Sequence, residues 1–351
     1  MIKNYRQLTE SIRGRINPEN FELRKSFSDE LSTISYSEVL TYIRLAMKGV
    51  EPEYTQKSRE AGERVKEHLN NGLSNVSFKY QGSVMTDTHI RGYSDIDLLA
   101  ICEKFYQYDA PRVKNLLDNP EERARFYASI DMLQKEVNAT RYTGNSLDDL
   151  RNLRLESERI LSEKYINCDL TKPKAIKIKN LSLNREVDIV IANWYDDITS
   201  IINEKGDYRG VQVYNKYSHI QEKADFPFLS IRRINDRSSE TNGRLKKMIR
   251  FLKNNKANSD HDIFLSSFDI NAICYDIKVS EYQNLSFYEL VPVIYNHMKS
   301  ICTTQTRADS IISVDGREYI FKYNSSKLEN LKKLLAEVEG IFIDLKSAIQ
   351  V

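Results

Sequence analysis

QGSVMTDTHIRGYSDIDLL, residues 81–99, is the stretch that decides the fold. Its end, Asp95-Ile96-Asp97-Leu98, alternates acidic and apolar side chains. Successive side chains of a strand point to opposite faces, so Asp95 and Asp97 share one face while Ile96 and Leu98 turn toward a core. Two carboxylates held side by side repel unless a cation lies between them. Mg²⁺ prefers oxygen donors of this kind. At the start of the stretch, Gly82-Ser83 follows an alternating run at residues 76–80 that reads as a preceding strand. Glycine lets a phosphate approach the backbone closely. The amides after it and the Ser83 hydroxyl can then donate to phosphate oxygens.

A third carboxylate lies downstream in EVDIVI, residues 186–191, where Asp188 is flanked by Val187 and Ile189. An aspartate inside an apolar strand calls for a reason. Three carboxylates facing one another would hold two metal ions roughly 3.5–4 Å apart, the arrangement of two-metal phosphoryl-transfer sites. The run at residues 175–179 pairs with this strand as a hairpin across the LSLN link.

The surroundings set these strands among helices. Between residues 36 and 71, Ile43, Met47, Val50, Tyr54, Ala61, Val65 and Leu69 recur at helical spacing. Pro52 kinks or divides that long helix, and Asn71-Gly72 stops it. Residues 1–35 are polar and partly helical, and residues 111–163 form at least two helices around Tyr142-Thr143-Gly144. Beyond residue 197 the pattern turns helical, over residues 242–255, 267–277, 286–302 and 325–349. The last helix places Leu328, Leu331, Leu335, Val338, Phe342, Leu345 and Ile349 on one stripe, read as core. Asp315-Gly316, between SIISV and REYIF, is a hairpin signal. RINDRSSETNGR, residues 233–244, reads as a polar loop. Arg232 and Arg233 are candidates to contact an acceptor nucleotide there; Trp194 reads as core, with lining of a base pocket beside Tyr195 as the alternative. The expected architecture is α/β, with a mixed sheet and a helical C-terminal lobe. Residues 1–200 form the catalytic core and residues 201–351 the lobe that closes a nucleotide cleft.

Composition bounds the function. Lys+Arg number 52 against 50 Asp+Glu, a net charge of +2, so no global basic field points to strong nucleic-acid binding. No apolar run reaches the roughly 20 residues of a membrane span, and the first twenty residues lack an apolar signal core. Cys102, Cys168, Cys274 and Cys302 are scattered without a CxxC pair, and the five histidines show no ligand spacing. A reduced, cytoplasmic protein is expected.

These motifs resemble the nucleotidyltransferase superfamily with a DNA polymerase beta-like palm: glycine-serine, a strand bearing Asp-x-Asp, then a later strand bearing one Asp. Residues 81–99 look like the version in the bacterial CD-NTases of anti-phage signalling, and the helix before them is similar to that group's spine helix. The match covers roughly residues 40–195 well and the second half more loosely. Cyclic GMP-AMP synthase and oligoadenylate synthase of animals are more distant relatives, and the metal knuckle of the vertebrate enzyme is not visible here. GRLKKMIRFLKNNK and LSSFDINAICYDI, residues 243–256 and 265–277, are similar to the family's lysine helix and serine-aromatic helix. The resemblance implies that Lys253 and Ser267 hold the triphosphate and that Phe268 stacks on a base, with Arg250, Lys247 or Lys246 as alternatives to Lys253. It implies an enzyme that joins NTPs into a cyclic di- or trinucleotide messenger, using two Mg²⁺ ions for which Mn²⁺ can substitute. A regulatory or effector protein from the same operon is the implied partner. Two readings stay open beside it: transfer to an RNA end or a protein, and an inactive nucleotide-binding scaffold.

Overall fold

The alternation read from the central strands builds a mixed sheet in the computed structural model, which describes residues 3–14, 38–90 and 96–349. Its strands are β1 (Val76–Gln81), β2 (Ile96–Tyr108), β3 (Cys168–Asp169), β4 (Ile176–Asn180), β5 (Arg185–Asp196), β6 (Gly210–Asn215) and β7 (Ile220–Gln221). The order is β1-β2-β5-β4-β3, with β6 added on β5 and β7 on β6. β2 and β5 run parallel, and the other pairs are antiparallel. The expected hairpin is thus present as β4–β5.

The chain divides into two units. One comprises residues 51–85 and 95–232, the other residues 1–50, 86–94 and 233–351. This differs from a division at residue 200, for two physical reasons. β6 and β7, residues 210–221, hydrogen-bond onto the sheet and extend the first unit. Tyr5, Ile12, Val39, Tyr42 and Ile43 bury themselves in the core of the C-terminal helices. The helix expected over residues 36–71 is two helices, Glu38–Met47 and Pro52–Gly72. Pro52 opens the second, and Glu51 before it is extended at φ −59° and ψ 143°, the conformation a residue preceding proline is pushed into.

In the sheet unit, one face is covered by two helices. Ala61, Val65 and Leu69 of Pro52–Gly72 and Leu150, Leu153, Ile160 and Leu161 of Ser146–Lys164 pack on Ile96, Leu98, Ile178, Val187 and Ile189. Burying each such Leu or Ile contributes roughly 1.5–3 kcal/mol. Gly62 permits this close approach, because a Cβ there would meet the Tyr80 ring at 2.8 Å and Ile96 at 3.2 Å. The opposite face carries a smaller cluster of Leu99, Ile101, Val190, Ala192, Trp194 and Val211. Trp194 is core, as read, and its Nε1 donates to Glu103 Oε1 at 2.8 Å.

The helical unit holds Arg244–Ala257, Ser267–Asp276, Leu290–Thr303 and Ser325–Ile349. Leu331, Val338 and Leu345 of the last helix are buried and Leu328, Leu335 and Phe342 pack against them, as the stripe requires; the Ile349 side chain lies outside the described residues. Two expectations are corrected. Residues 227–240 form a helix, Pro227–Glu240, where a loop was read over its polar second half. Proline at its first turn and the buried Leu229 and Ile234 outweigh the polar run. Asp315-Gly316 makes a tight turn, with Gly316 at φ +80°, but only the single bridge Ile312–Tyr319 forms beside it, since Ile311, Ile320 and Phe321 are drawn into the helical core. No described helix is long and apolar enough to cross a membrane.

Buried cations tie this unit together. Arg250 Nε donates to Met47 O at 2.9 Å and Nη1 to Asp87 O at 2.6 Å. Asn254 Nδ2 donates to Ala46 O at 2.9 Å. Met47 and Ala46 close the helix Glu38–Met47, so Arg250 and the Asn254 amide each cap an orphan carbonyl and the Arg250 charge opposes the helix dipole. Lys253 Nζ donates to Thr88 O at 3.0 Å and lies 3.3 Å from Thr88 Oγ1. Both cations therefore fasten residues 87–88, on the path from Gly82-Ser83 to Asp95. Arg250→Met strands the buried Met47 carbonyl and frees the partly buried Asp87 carbonyl, and is expected to cost about 1–3 kcal/mol in denaturant titration, with faster amide exchange at residues 44–47 and 86–90. Unchanged exchange there would contradict the assignment.

Burial depresses the Lys253 pKa from 10.5 to about 8. Below about 8 the amine is charged in folded and unfolded chains alike; above it the unfolded chain binds more protons. Stability of the wild type relative to Lys253→Met is therefore expected to rise between about pH 8 and pH 10.5. Melting curves that stay parallel across that window would refute this.

Candidate active site

The parallel register of β2 and β5 places Asp97 opposite Asp188, between the pairs Ile96–Val187 and Leu98–Ile189. Those four apolar side chains are fully buried, which fixes the register and forces both aspartates onto the other face. Adjacent strands are about 4.8 Å apart, so the two carboxylates are neighbours. Asp95 lies outside the described residues, and among the described residues no group of three acidic, histidine or cysteine side chains could hold a metal.

β1 ends at Gln81, the register partner of Asp97, and the chain turns at Gly82 with φ +86°. A Cβ on Gly82 would lie 2.3 Å from Asp97 Oδ2. The carboxylate thus lies against bare backbone, a cradle any side chain would fill. Met85 N donates to Gly82 O at 3.3 Å and Val84 is buried, which anchors the turn and leaves Ser83 half-buried beside it. The donor set fits a hard divalent cation: carboxylate oxygens from two rigid central strands, whose mutual repulsion a cation relieves.

One neighbour of this pair was missed from the sequence. Lys177 of β4 is the register partner of Asp188 on the side away from Asp97. Its Nζ pairs with Glu186, two residues before Asp188 on the same face, at 2.5 Å. The available signal was the alternation Ile176-Lys177-Ile178, which puts Lys177 on the face opposite two buried isoleucines.

Apart from Trp194 and Arg232, both in the sheet unit, the other candidates belong to the helical unit. The Lys253 ammonium is buried and engaged with Thr88. Lys246 and Lys247 on the same helix are half-buried, and burial lowers both pKa values, with Arg250 adding repulsion. Ser267 is exposed in the first turn of Ser267–Asp276, while Ser266 caps that helix in a reciprocal box with Asp269. Phe268 is half-buried against the core. Arg232 stacks 4.5 Å from the Tyr208 ring centroid and Arg233 donates to Val314 O at 2.8 Å, so both have structural partners.

Residues 232–342 match the family model of the cGAS/DncV-like nucleotidyltransferase C-terminal helical domain. A c-di-GMP synthase of Capnocytophaga granulosa is 53% identical over 98% of this chain and 99% of its own. A c-di-GMP synthase of a Lachnospiraceae bacterium is 42% identical over 97% of this chain and 99% of its own. The solved structure of a STING-associated CdnE c-di-GMP synthase from Flavobacteriaceae sp. matches with a TM-score of 0.88 at 37% identity, covering 100% of both chains. Likeness of this degree along nearly the whole length settles the affiliation: the chain belongs to the CD-NTase family of cGAS/DncV-like nucleotidyltransferases.

Proposed function

We propose that this enzyme condenses two GTP molecules into cyclic di-GMP with release of pyrophosphate. The observation that carries the reading is Asp97 facing Asp188 beside the bare backbone of Gly82, in a chain 53% identical to a c-di-GMP synthase. The amides following Gly82 and the Ser83 hydroxyl hold the donor's β- and γ-phosphate oxygens. Asp95, Asp97 and Asp188 hold two Mg²⁺ ions, or Mn²⁺ in their place. When bound, the metal supplies Lewis-acid neutralisation of charge on the triphosphate and the leaving pyrophosphate.

Asp188 accepts the proton of the acceptor ribose hydroxyl. The freed oxygen bonds to the α-phosphorus as the bond to pyrophosphate breaks, and a second such step on the linear intermediate closes the ring. Ser267, with its exposed hydroxyl in a helix's first turn, is a further phosphate ligand, and Phe268 stacks on a base. Lys253 serves by fastening Thr88 on the path to Asp95. The product's reader is an effector encoded nearby, of the kind named with the Flavobacteriaceae relative, and the enzyme works in the cytoplasm.

Incubation with labelled NTPs and Mg²⁺, followed by phosphatase treatment and mass spectrometry, tests this. A phosphatase-resistant cyclic di-GMP is expected, and Asp188→Asn should lower its rate about 10²–10³-fold, the scale of several kcal/mol of lost charge stabilisation. Label on RNA or protein instead would establish the transfer reading, and no turnover with NTP binding intact would establish the scaffold. Gly82→Ala pushes the Asp97 carboxylate aside and is expected to cost about 10²-fold in kcat while the fold survives. Wild-type kcat in that variant would dismiss the cradle.

A further inference from the structure

We propose that Lys177 is a resident counter-cation of the aspartate pair, which weakens divalent-ion binding to the nucleotide-free enzyme and so couples ion loading to arrival of the triphosphate. The inference rests on the nucleotidyltransferase reading of the Asp97–Asp188 site.

Position comes first. Across the sheet, Asp188 has Asp97 on one side and Lys177 on the other. Ile176 and Ile178 are fully buried, so a strand slip that turned Lys177 away would drag both isoleucines out of the core. Facing side chains in an antiparallel pair have Cβ atoms about 4.5–5.5 Å apart, within easy reach of a lysine. The ion pair with Glu186 confirms which way the ammonium lies, because Glu186 and Asp188 share a face. Lys177 keeps only 22% of its side chain exposed, which limits solvent screening.

Charge follows from position. Asp97, Glu186 and Asp188 form a run of carboxylates on this face, and Lys177 stands next to two of them. Unit charges a few ångströms apart at a partly shielded protein surface interact strongly enough to shift ion binding. An ammonium there lowers the repulsion between the aspartates and also repels an entering divalent ion. A triphosphate reverses the balance by adding negative charge and oxygen ligands of its own. Mg²⁺ in such sites is bound through one or two carboxylates together with substrate phosphates. Lys177 can then remain on Glu186. The bland alternative is a diagonal cross-strand pair with Glu186 that adds modest sheet stability and nothing more.

The two differ in metal affinity, which a merely structural pair would not move. Mn²⁺ binding is followed by EPR titration of the full chain, with and without a GTP analogue bridged by methylene between the α- and β-phosphates. Without nucleotide, Lys177→Met is expected to bind Mn²⁺ about 10-fold more tightly than wild type, and Lys177→Arg to stay within about threefold of it. With the analogue present, the gap between Lys177→Met and wild type should close. Equal or weaker Mn²⁺ binding by Lys177→Met overturns the proposal, provided circular dichroism shows a native fold; Lys177→Gln replaces it if it does not. An Asp188→Asn control separates the two levels of inference. If Mn²⁺ binding to wild type, with analogue, ignores Asp188, the metal–nucleotide reading itself fails. If it depends on Asp188 but not on Lys177, only this proposal fails.

Discussion

The parallel pairing of β2 with β5 is the constraint on which the site depends. These strands are remote in sequence, and only their register brings Asp97 beside Asp188. A slip of one residue would turn an aspartate into the core and an isoleucine out of it. The buried pairs Ile96–Val187 and Leu98–Ile189 therefore act as the lock on the chemistry, although none of them touches a substrate. The packing of Pro52–Gly72 and Ser146–Lys164 on that apolar face is the energetic counterweight to two like charges held together on the other.

A second dependence runs through the segment joining the phosphate turn to the acidic strand. Residues 86–90 belong to the helical unit even though Gly82, Ser83 and Asp97 belong to the sheet unit. Arg250 and Lys253 hold the backbone at Asp87 and Thr88, and Arg250 also caps the helix Glu38–Met47. Buried cations bound to backbone carbonyls are costly to lose, because each carbonyl would be left without a partner. The connection between Gly82 and Asp95 is thus anchored at residues 87–88.

Much of this was legible in the sequence for one reason. A carboxylate in an alternating apolar strand has an unambiguous face, so Asp97 and Asp188 could be named from spacing. The same period gave β1, β4 and β5, and the 3.6 period gave Arg244–Ala257 and Ser325–Ile349. What failed was what periodicity does not encode. Polarity over residues 233–244 hid the helix Pro227–Glu240, because its few buried positions, such as Leu229 and Ile234, are diluted by a wide solvated face. The division of the chain was hidden because strands added late, β6 and β7, and helices placed early, Tyr5–Gly14 and Glu38–Met47, each join a core remote in sequence. Asp315-Gly316 has the dipeptide of a hairpin, yet dipeptides specify turns and not the ladders beyond them.

The two lysines show the limit most clearly. Lys253 drew attention through the resemblance to the family's lysine helix, although a basic run on a helix usually reports a solvated face. In the fold it is buried, as Arg250 of the same run is, and it is held by Thr88. Lys177 drew none, being one of two lysines that alternate with isoleucines in a short strand. That setting is the more informative one: a strand fixed by buried neighbours commits its charged residue to a face, and register then decides which charges share it. Here the shared face is the one bearing Asp188, so β4 brings positive charge to the face on which β2 and β5 carry their carboxylates.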